Sequence, residues 1–333
     1  IVRWHGKQNI ENFIKRLYLT VKKEVPEALV TYVNYPTTEY LQLPFLDFQC
    51  YNIYLENQEE LEAYLPRLQN LSWDKPLLIG EIGLDGQRNG EENQAAVLGA
   101  QIQTSFRAGC AGTIVFSWTD EWFRGGADIT DWQFGLTRRN REPKPALAAI
   151  SKAFANAPFA QDFAWPEITV IVCSHNGEAT IRQTLDGLVD LDYPCYHVIV
   201  VDDGSTDDTA AISAEYDFEL IRTKNRGLSN ARNTGLNHSK GEIVVYIDDD
   251  AFPDRDWLRY LALMFQTGGH AAVGGLSLAP PGYGPVADCV AGAPGRPVHV
   301  LLTDHEAEHI PGCNMAFRRE NLTEIGGFDP RFR

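Results

Sequence analysis

The sequence lacks the signatures of several protein classes. None of its apolar runs approaches the roughly 20 residues that a membrane-spanning helix needs. No C-x-x-C spacing occurs among its 6 cysteines, which argues against a zinc site of that kind. Basic residues are in deficit: 29 Lys and Arg against 45 Asp and Glu give a net charge of −16, which argues against binding to nucleic acids or to an anionic membrane surface.

The cysteines lie far apart in the chain, and several fall within apolar runs. We interpret them as buried thiols of a protein from a reducing compartment, the cytoplasm. Membrane association of the full-length protein is left open.

The most informative segment is the apolar run 242–247 with three consecutive carboxylates, Asp248, Asp249 and Asp250, after it. A strand in a parallel sheet is buried, so its charged residues lie at its end, where such sheets bind ligands. Three acids at one strand end repel each other unless a cation lies among them, and a hard divalent ion that carries a phosphate is the usual one. The alternative is a solvated acidic turn before Pro253, and this run alone supports both equally.

Two further apolar runs, 167–173 and 196–201, also end in polar residues, and a segment with helical spacing, 179–191, separates them. Strands that alternate with helices, with polar side chains at the carboxyl ends of the strands, predict a doubly wound α/β sheet whose ligand crevice lies at those ends. The turn after the first run, 174–178, has no G-x-G-x-x-G motif, which disfavours a dinucleotide-binding fold.

Residues 166–333 resemble a family 2 glycosyltransferase with the nucleotide-sugar-binding GT-A fold, a Rossmann-like α/β domain. The resemblance is carried, in the family's order, by Val170–Asn176 (VIVCSHN), Val200–Asp207 (VVDDGSTD), Asn225–Asn233 (NRGLSNARN), Tyr246–Asp250 (YIDDD) and Pro311–Arg318 (PGCNMAFR). It implies an inverting enzyme that uses a nucleotide sugar, most often a UDP-sugar, and a divalent metal, Mg²⁺ or Mn²⁺.

By this resemblance, Cys173, Ser174 and His175 line the base and ribose pocket, with His175 in the place of the family's usual tyrosine. Asp203 accepts a hydrogen bond from the uracil edge. Arg226 lies near the nucleobase or the phosphates.

The resemblance also implies the metal and acceptor sites. The metal ligands are Asp248, Asp249 and Asp250, with Asp250 as the direct ligand. The residues beside the acceptor sugar are Gly312, Cys313 and Asn314.

Two structural alternatives are left open. Asp202 or Asp203 could cap the helix expected after Gly204, an ordinary use of aspartate. Arg226 and Arg232 could be plain surface charges, and for Arg232 this is as well supported as a role in the site.

The first half of the chain has a different pattern. Four runs have strand character: 28–34, 46–55, 75–83 and 112–120. Three stretches of helical character separate them: 10–23, 58–69 and 91–108. Each strand ends in polar or aromatic residues, which is typical of a (β/α)₈ barrel, but a whole barrel needs about 250 residues and only four strands precede residue 121.

Residues 1–150 are similar to the C-terminal half of a clan A glycoside hydrolase barrel of the family 2 type. The similarity is carried by Gly80–Gly83 (GEIG), Phe116–Asp120 (FSWTD), Asp131–Leu136 (DWQFGL) and Lys144–Ala146 (KPA). It implies that Glu81 is the nucleophile and Trp118 a sugar platform. The residues expected along the sugar subsites are Asn34, Tyr35 and Tyr54.

The expected roles of Glu81 as nucleophile and Trp118 as sugar platform each have an alternative. Glu81 could be a strand-end carboxylate bonded to a nearby Arg or Tyr, and Trp118 could pack in the core.

Neither resemblance is complete within the chain. A retaining glycosidase needs two carboxyls about 5 Å apart. In the barrels that residues 1–150 resemble, the acid partner of the nucleophile lies at the end of the fourth strand, and no Asn-Glu pair of that kind precedes Glu81. The transferase family's general base follows a Gly-Gly-Phe-Asp segment, here 326–329, and no matching acid comes after it. The sequence therefore predicts a fragment of a longer protein that lacks full activity. Residues 279–298, with several Pro and Gly, are expected to form a loop over the transferase site.

The sequence thus predicts a partial (β/α)₈ barrel at 1–152, a linker at 153–165 and a GT-A domain at 166–333. The leading hypothesis is an inverting glycosyltransferase that takes a UDP-sugar, a divalent metal and a carbohydrate acceptor, fused to a retaining glycoside-hydrolase-like barrel, in polysaccharide synthesis or remodelling. The alternatives are a carbohydrate-binding scaffold with a decayed barrel and a nucleotidyltransferase. The latter needs a Gly-rich phosphate loop with a basic residue after the first strand, which 173–178 does not offer.

Overall fold

The structure is a computed structural model that describes residues 2–279, 284–286, 289, 293 and 300–332. It divides into two compact units, Ile1–Phe163 (unit 1) and Ala164–Arg333 (unit 2). The boundary falls inside the predicted linker, although the first residues of that linker, through Ala155, continue a helix. Most of the predicted loop at 279–298 lies outside the described residues.

Unit 1 contains a four-stranded parallel sheet whose strands pair in chain order. The strands of this sheet are β1 Val33–Asn34, β2 Gln49–Asn52, β3 Leu77–Ile82 and β4 Gly112–Val115. A separate hairpin consists of β5 Trp122–Arg124 and β6 Ala127–Ile129. The helices are α1 Val2–His5, α2 Lys7–Glu24, α3 Gln58–Ser72, α4 Gly86–Asn89, α5 Glu91–Arg107 and α6 Pro145–Ala155, with a 3₁₀ turn at Pro36–Thr38.

Each of the four runs predicted as strands in unit 1 contains a strand, but all four strands are shorter than predicted. β4 stops at Val115 because the backbone of residues 117–120 bonds instead to that of residues 134–137. The three predicted helices correspond to α2, α3 and α5. Among the described residues the sheet is open at β1 and β4, so the barrel remains a prediction.

Helix α3 illustrates why these segments are helical. Its N-cap residue, Asn57, accepts hydrogen bonds at Oδ1 from the amides of Glu59 (2.8 Å) and Glu60 (3.2 Å), which would otherwise lack partners. Leu61 and Leu65, one turn apart, are fully buried, so one face of the helix packs into the core of unit 1.

Unit 2 is built on a six-stranded sheet with the order β11-β14-β10-β7-β8-β9. Its strands are β7 Ile168–Ser174, β8 Tyr196–Asp202, β9 Glu219–Arg222, β10 Ile243–Asp248, β11 Ala272–Gly274 and β14 Met315–Arg318. A separate pair consists of β12 Val300–Leu301 and β13 Ala307–His309. The helices are α7 Ile181–Val189, α8 Thr209–Ser213, α9 Leu228–His238, α10 Trp257–Thr267 and, last, α11 Arg319–Glu324.

The sheet of unit 2 confirms the predicted doubly wound α/β fold. Strands β9, β8, β7 and β10 are parallel, and the chain reverses its direction of growth between β7 and β10. The register pairs Cys173 with Asp248 and Ser174 with Asp202, so the carboxyl ends of three strands are level. Such a reversal point is where open α/β sheets bind ligands.

The apolar runs of the central strands are explained by burial on both faces. Val170 and Val245 belong to the core on one face of the sheet, and Ile171 and Val244 to the core on the other; all four are 0% exposed. Charged side chains are therefore confined to the strand ends. Within the described ranges, no helix is long and apolar enough to cross a bilayer.

Candidate active site

The acidic end of β10 has protein partners for two of its three carboxylates. Oδ1 of Asp248 lies 3.7 Å from Nη2 of Arg232, and Asp249 accepts a hydrogen bond from Oγ of Ser174. Asp250 is exposed.

Negative charge is disfavoured at this strand end. Burial raises the pKa of Asp248 and of Asp249 above the usual range, and the charge of Asp250 adds to both shifts. Arg232 opposes the shift in the pKa of Asp248, and the Ser174 hydrogen bond opposes that of Asp249. A bound cation would relieve the same penalty.

The three aspartates offer the hard oxygen ligands that Mg²⁺ and Mn²⁺ bind. Their arrangement does not form a ready metal site: in the part of the chain that the structure describes, no three or more His, Cys, Asp or Glu side chains are grouped to hold an ion. Arg232 and Ser174 engage two of the carboxylates instead.

The three residues predicted to line the base pocket face different surroundings. Cys173 packs against the core, and its burial raises the pKa of the thiol to about 12. Ser174 is buried and bonded to Asp249. His175 is exposed, with Nε2 3.0 Å from Nδ2 of Asn225, so it is the member of this group that is open to a ligand.

Asp203 is 4% exposed, and both oxygens of its carboxylate accept hydrogen bonds from other residues of unit 2. Oδ1 accepts hydrogen bonds from the hydroxyl of Thr223 (2.9 Å) and the amide of Arg226 (3.1 Å), and Oδ2 from the amides of Arg226 (3.1 Å) and Gly227 (2.8 Å). A carboxylate has about four lone-pair sites, so little capacity remains for a nucleobase. The predicted uracil contact stays a prediction, and the structure adds a role for Asp203 in fixing the loop before α9.

The capping alternative is wrong for both aspartates. Helix α8 begins at Thr209, and neither Asp202 nor Asp203 accepts a hydrogen bond from its first turn. Asp202 instead accepts the amide of Ser205 (2.9 Å) and so fixes the turn at Gly204.

A cavity of about 360 Å³ lies beside Asp203. Its lining residues are Asp203, Thr223, Lys224, Arg226, Asn230 and Thr234. Two of them, Lys224 and Arg226, are cationic, which suits an anionic ligand. Sequence reasoning named Asp203 and Arg226 and missed the others, although Thr223 and Lys224 stand directly before the Asn225–Asn233 motif.

Arg232 is not a plain surface charge. Its side chain is 15% exposed, and it lies between Asp248 and Gly312, where an added Cβ would be 2.6 Å from Nη2. Arg232 therefore connects the acidic strand end with the predicted acceptor segment.

The acceptor segment is held in place by Asn314. Its Oδ1 accepts a hydrogen bond from the indole of Trp257 (2.9 Å), and its Nδ2 donates to the carbonyl of Leu276 (3.3 Å). Sγ of Cys313 lies 3.2 Å from Oγ of Ser277. Both polar groups of Asn314 are thus used to support this turn.

The motifs that meet at the level strand ends belong to one family model. Residues 169–326 match the model described as "Glycosyl transferase family 2". This segment is a family 2 glycosyltransferase domain.

The relatives of the glycosyltransferase domain carry matching names. The chain is 39% identical over 100 residues to glycosyltransferase GlyA of Streptococcus pneumoniae, which covers 28% of this chain and 14% of that protein. It is 30% identical over 191 residues to the probable glycosyltransferase YdaM of Bacillus subtilis, which covers 50% of this chain and 44% of that protein. The chain thus spans less than half the length of either relative.

Among solved structures, the mannosyltransferase PcManGT from Pyrobaculum calidifontis, in complex with GDP-Man and Mn²⁺, is 31% identical. The match covers 51% of this chain and 50% of that chain, with a TM-score of 0.39.

Unit 1, which precedes the glycosyltransferase domain, has its own strand-end carboxylate. Oε2 of Glu81 accepts a hydrogen bond from the hydroxyl of Tyr54 at 2.5 Å, so the alternative interpretation, a strand-end acid bonded to a tyrosine, describes the contact observed. Burial and the Glu81 contact raise the pKa of Tyr54, which keeps the phenol protonated as the donor. The nucleophile role of Glu81 stays a prediction.

The predicted sugar-binding residues of unit 1 differ in exposure. Trp118 is 61% exposed, so the core-packing alternative is wrong, and Tyr35 is also exposed. Asn34 is buried and accepts a hydrogen bond from the hydroxyl of Thr38 (3.3 Å). Of these three residues, Trp118 and Tyr35 can meet a ligand directly.

A cluster of aromatic rings that are not fully buried lies next to Glu81. Its members, in contact at centroid distances of 5.2–6.4 Å, are Tyr54, Phe116, Trp122, Trp132 and Phe134. Sequence reasoning gave a sugar-binding role only to Tyr54 among them, although the FSWTD and DWQFGL motifs contain Phe116, Trp132 and Phe134. The signal was the density of aromatics in 116–134, but which rings touch depends on how the β5–β6 hairpin folds back.

Replacing Trp118 by Ala is expected to leave the thermal stability of the protein almost unchanged, because an exposed ring buries little apolar area. The same change should abolish the quenching of tryptophan fluorescence by soluble oligosaccharides, if this ring is the sugar platform. Trp4, which is 87% exposed and has no predicted role in sugar binding, provides the matched control in Trp4→Ala. Equal quenching in Trp118→Ala and the wild-type protein would remove Trp118 from the site.

Proposed function

We propose that unit 2 is a sugar transferase of polysaccharide synthesis. It takes the sugar from a nucleotide sugar, a UDP-sugar, and transfers it to a carbohydrate acceptor with inversion at the anomeric carbon. The observation that carries the proposal is the convergence of three level strand ends at the reversal point of the sheet, with the acidic end of β10 among them and a cavity lined by Lys224 and Arg226 beside Asp203. This arrangement suits a ligand with a neutral base, a charged diphosphate and a sugar in a row.

The nucleotide would lie along the ends of β7 and β8. In this proposal His175 and Arg226 contact the base or the phosphates, and Asp203 holds the loop that lines the cavity. Lys224 and Arg226 attract the diphosphate, whose negative charge must be neutralised before it can leave.

The acceptor would approach from the side of Gly312, Cys313 and Asn314. Its hydroxyl attacks the anomeric carbon, the bond to the diphosphate oxygen breaks, and the nucleoside diphosphate leaves with the electron pair. Asn314 supports this side through Trp257, and Arg232 ties it to Asp248. The general base that removes the hydroxyl proton is not assigned to a residue.

A divalent metal is part of the proposal. Asp250, the exposed carboxylate of the three, is the proposed direct ligand, and the metal would supply charge neutralisation for the leaving diphosphate. Arg232 and Ser174 would have to release or share Asp248 and Asp249 if those residues also bind the ion.

The metal role predicts that UDP affinity rises when Mn²⁺ is added and that this gain is lost in Asp250→Asn. The reason is that Asp250 would hold the ion and the ion would neutralise charge on the diphosphate, so the loss of the carboxylate charge should remove the benefit of the metal. Calorimetric titration of UDP with and without Mn²⁺ measures both effects, and Asp217→Asn, at an exposed acid of the same unit, is the control. Equal UDP affinity with and without metal would contradict the metal role.

A second function is favoured for unit 1 by a separate observation: Glu81, near the end of β3, is bonded to Tyr54, which belongs to a cluster of aromatic rings that are not fully buried. We propose that this unit binds carbohydrate, with Trp118 as platform and with Asn34, Tyr35 and Tyr54 along the subsites. In the hydrolase-like form of this proposal Glu81 is the nucleophile of a barrel-type site, and in the scaffold form the site only binds. Release of phenol from aryl β-glycosides that is lost in Glu81→Gln would support the first form; sugar binding without any release would support the second.

A further inference from the structure

One residue of α9, Asn233, holds the segment that follows α11. Its Nδ2 donates a hydrogen bond to the carbonyl of Phe328 (2.7 Å), and the amide of Phe328 donates to its Oδ1 (2.8 Å). The side-chain amide of Asn233 thus pairs with both the N–H and the C=O of Phe328. Two such bonds fix the orientation of this backbone as well as its position.

Gly327 fits closely against the same side chain. Its φ is +75°, and a Cβ added there would lie 2.4 Å from Oδ1 of Asn233. Both the left-handed backbone and the close approach require glycine at this position. Asn233 and Gly327 thus form a joint with no room for a larger residue.

The neighbouring residue on α9 connects this joint to the acidic strand end. The guanidinium of Arg232 lies 5.3 Å from the centroid of the Phe328 ring and 3.7 Å from Oδ1 of Asp248. The Phe328 ring also packs edge-on against Tyr246 of β10 at 5.1 Å. The segment after α11 is therefore anchored to α9 and to the strand that ends in the three aspartates.

Further along the segment, the hydroxyl of Ser229 donates to the carbonyl of Phe332 (2.6 Å). Ser229 and Asn233 are four residues apart, so both lie on one face of α9. The loop at the start of this helix is fixed by Asp203, through the amides of Arg226 and Gly227.

We propose that Asn233 is a positioning residue that builds the acceptor side of the site by holding residues 327–332 beside the acidic strand end. The proposal rests on the proposed function of unit 2. Transfer needs the acceptor hydroxyl in line with a donor bound at this strand end, and a small misplacement of either partner is costly. Helix α9 is fixed by Asp203 at one end and holds residues 327–332 along one face. It therefore sets the position of the acceptor side relative to the donor side.

The test compares Asn233→Ala with His238→Ala, at an exposed residue at the other end of α9 whose ring lies 2.8 Å from the carbonyl of Thr234. Hydrogen exchange of residues 327–332 should accelerate by about tenfold or more in Asn233→Ala, because two hydrogen bonds that oppose local opening are lost. UDP affinity should stay at the wild-type value, whereas UDP release from UDP-N-acetylglucosamine should fall by about tenfold or more. His238→Ala should match the wild-type protein in all three measurements.

Two further variants probe the joint from other sides. Gly327→Ala adds a methyl group where there is no room beside Asn233. This variant should likewise keep the wild-type UDP affinity and lose UDP release. Asn233→Asp keeps an acceptor for the Phe328 amide and loses the donor to its carbonyl, so its exchange rates should be intermediate.

Unchanged exchange at 327–332 in Asn233→Ala would overturn the proposal, and so would a parallel loss of UDP affinity and UDP release, which indicates a general structural role. A wild-type protein that binds no UDP would contradict the proposed function of unit 2 instead. In that case the exchange rates alone decide whether Asn233 holds the segment.

Discussion

Asp203→Ala is expected to weaken UDP binding by roughly ten- to a hundredfold, since the loss of a carboxylate acceptor costs about 1.5–3 kcal/mol. The side chain accepts the amides of Arg226 and Gly227, and its removal frees the loop that carries Lys224 and Arg226 into the cavity. The melting temperature should fall as well, because two backbone donors lose their partner. Calorimetry with UDP and thermal denaturation measure the two effects.

The two roles of Asp203 predict different base preferences. A direct contact with uracil predicts that the preference for UDP over CDP disappears in Asp203→Ala. A role in fixing the loop alone predicts that both affinities fall together. Asp207→Ala is the matched control, because Asp207 accepts comparable hydrogen bonds from Thr209 and Glu178 but does not line the cavity. UDP affinity that is equal in Asp203→Ala and the wild-type protein would exclude both roles.

The largest stability effect is expected at the buried ion pair of unit 1. Nζ of Lys144 (0% exposed) lies 2.8 Å from Oδ2 of Asp120 (7% exposed), and Oδ1 of Asp120 also accepts the amide of Gly135 (2.8 Å). Lys144→Met leaves the carboxylate buried without its partner, which typically costs about 3–5 kcal/mol. Urea denaturation followed by tryptophan fluorescence measures the loss.

An exposed pair in the same unit serves as the control for this prediction. Arg141 is bonded to Glu121, and both side chains are well exposed, so Arg141→Met should cost about 0–1 kcal/mol. The double variant Asp120→Leu/Lys144→Met should recover much of the stability, because no lone charge remains buried. A Lys144→Met protein as stable as Arg141→Met would show that the ion pair contributes little.

The sequence was sufficient to predict the central strands of both units and the helices α2, α3, α5 and α7. Buried parallel strands read as continuous apolar runs, and the run 242–247 was therefore recognisable as β10. Strands β9, β11 and β14 were not predicted, because short strands such as Glu219–Arg222 have too few residues to show a pattern.

The composition of the candidate site was predictable, but its contacts were not. Strand-end position brought Asp203 and Asp248 into the prediction, while the register that makes the ends level is a property of strand pairing. The loop at 223–227 fills the hydrogen-bonding capacity of the Asp203 carboxylate, and this contact depends on how the loop folds back over β8. The role of Arg232 was left undecided because its partner Asp248 lies on a different element, at the end of β10.

The family 2 glycosyltransferase domain is carried by residues 169–326, whose motifs meet at one edge of the sheet. The barrel interpretation of unit 1 depends on strands that would close the sheet beyond β1 and β4, and the described residues contain a sheet that is open at both.

We propose that a nucleotide donor binds at the carboxyl ends of β7, β8 and β10. A crystal structure of the protein with UDP and Mn²⁺ tests it most directly. We expect the base beside His175 and the cavity that Asp203 and Arg226 line, with the diphosphate next to Asp250. Nucleotide bound elsewhere, or strand ends that stay empty at saturating UDP, would contradict it.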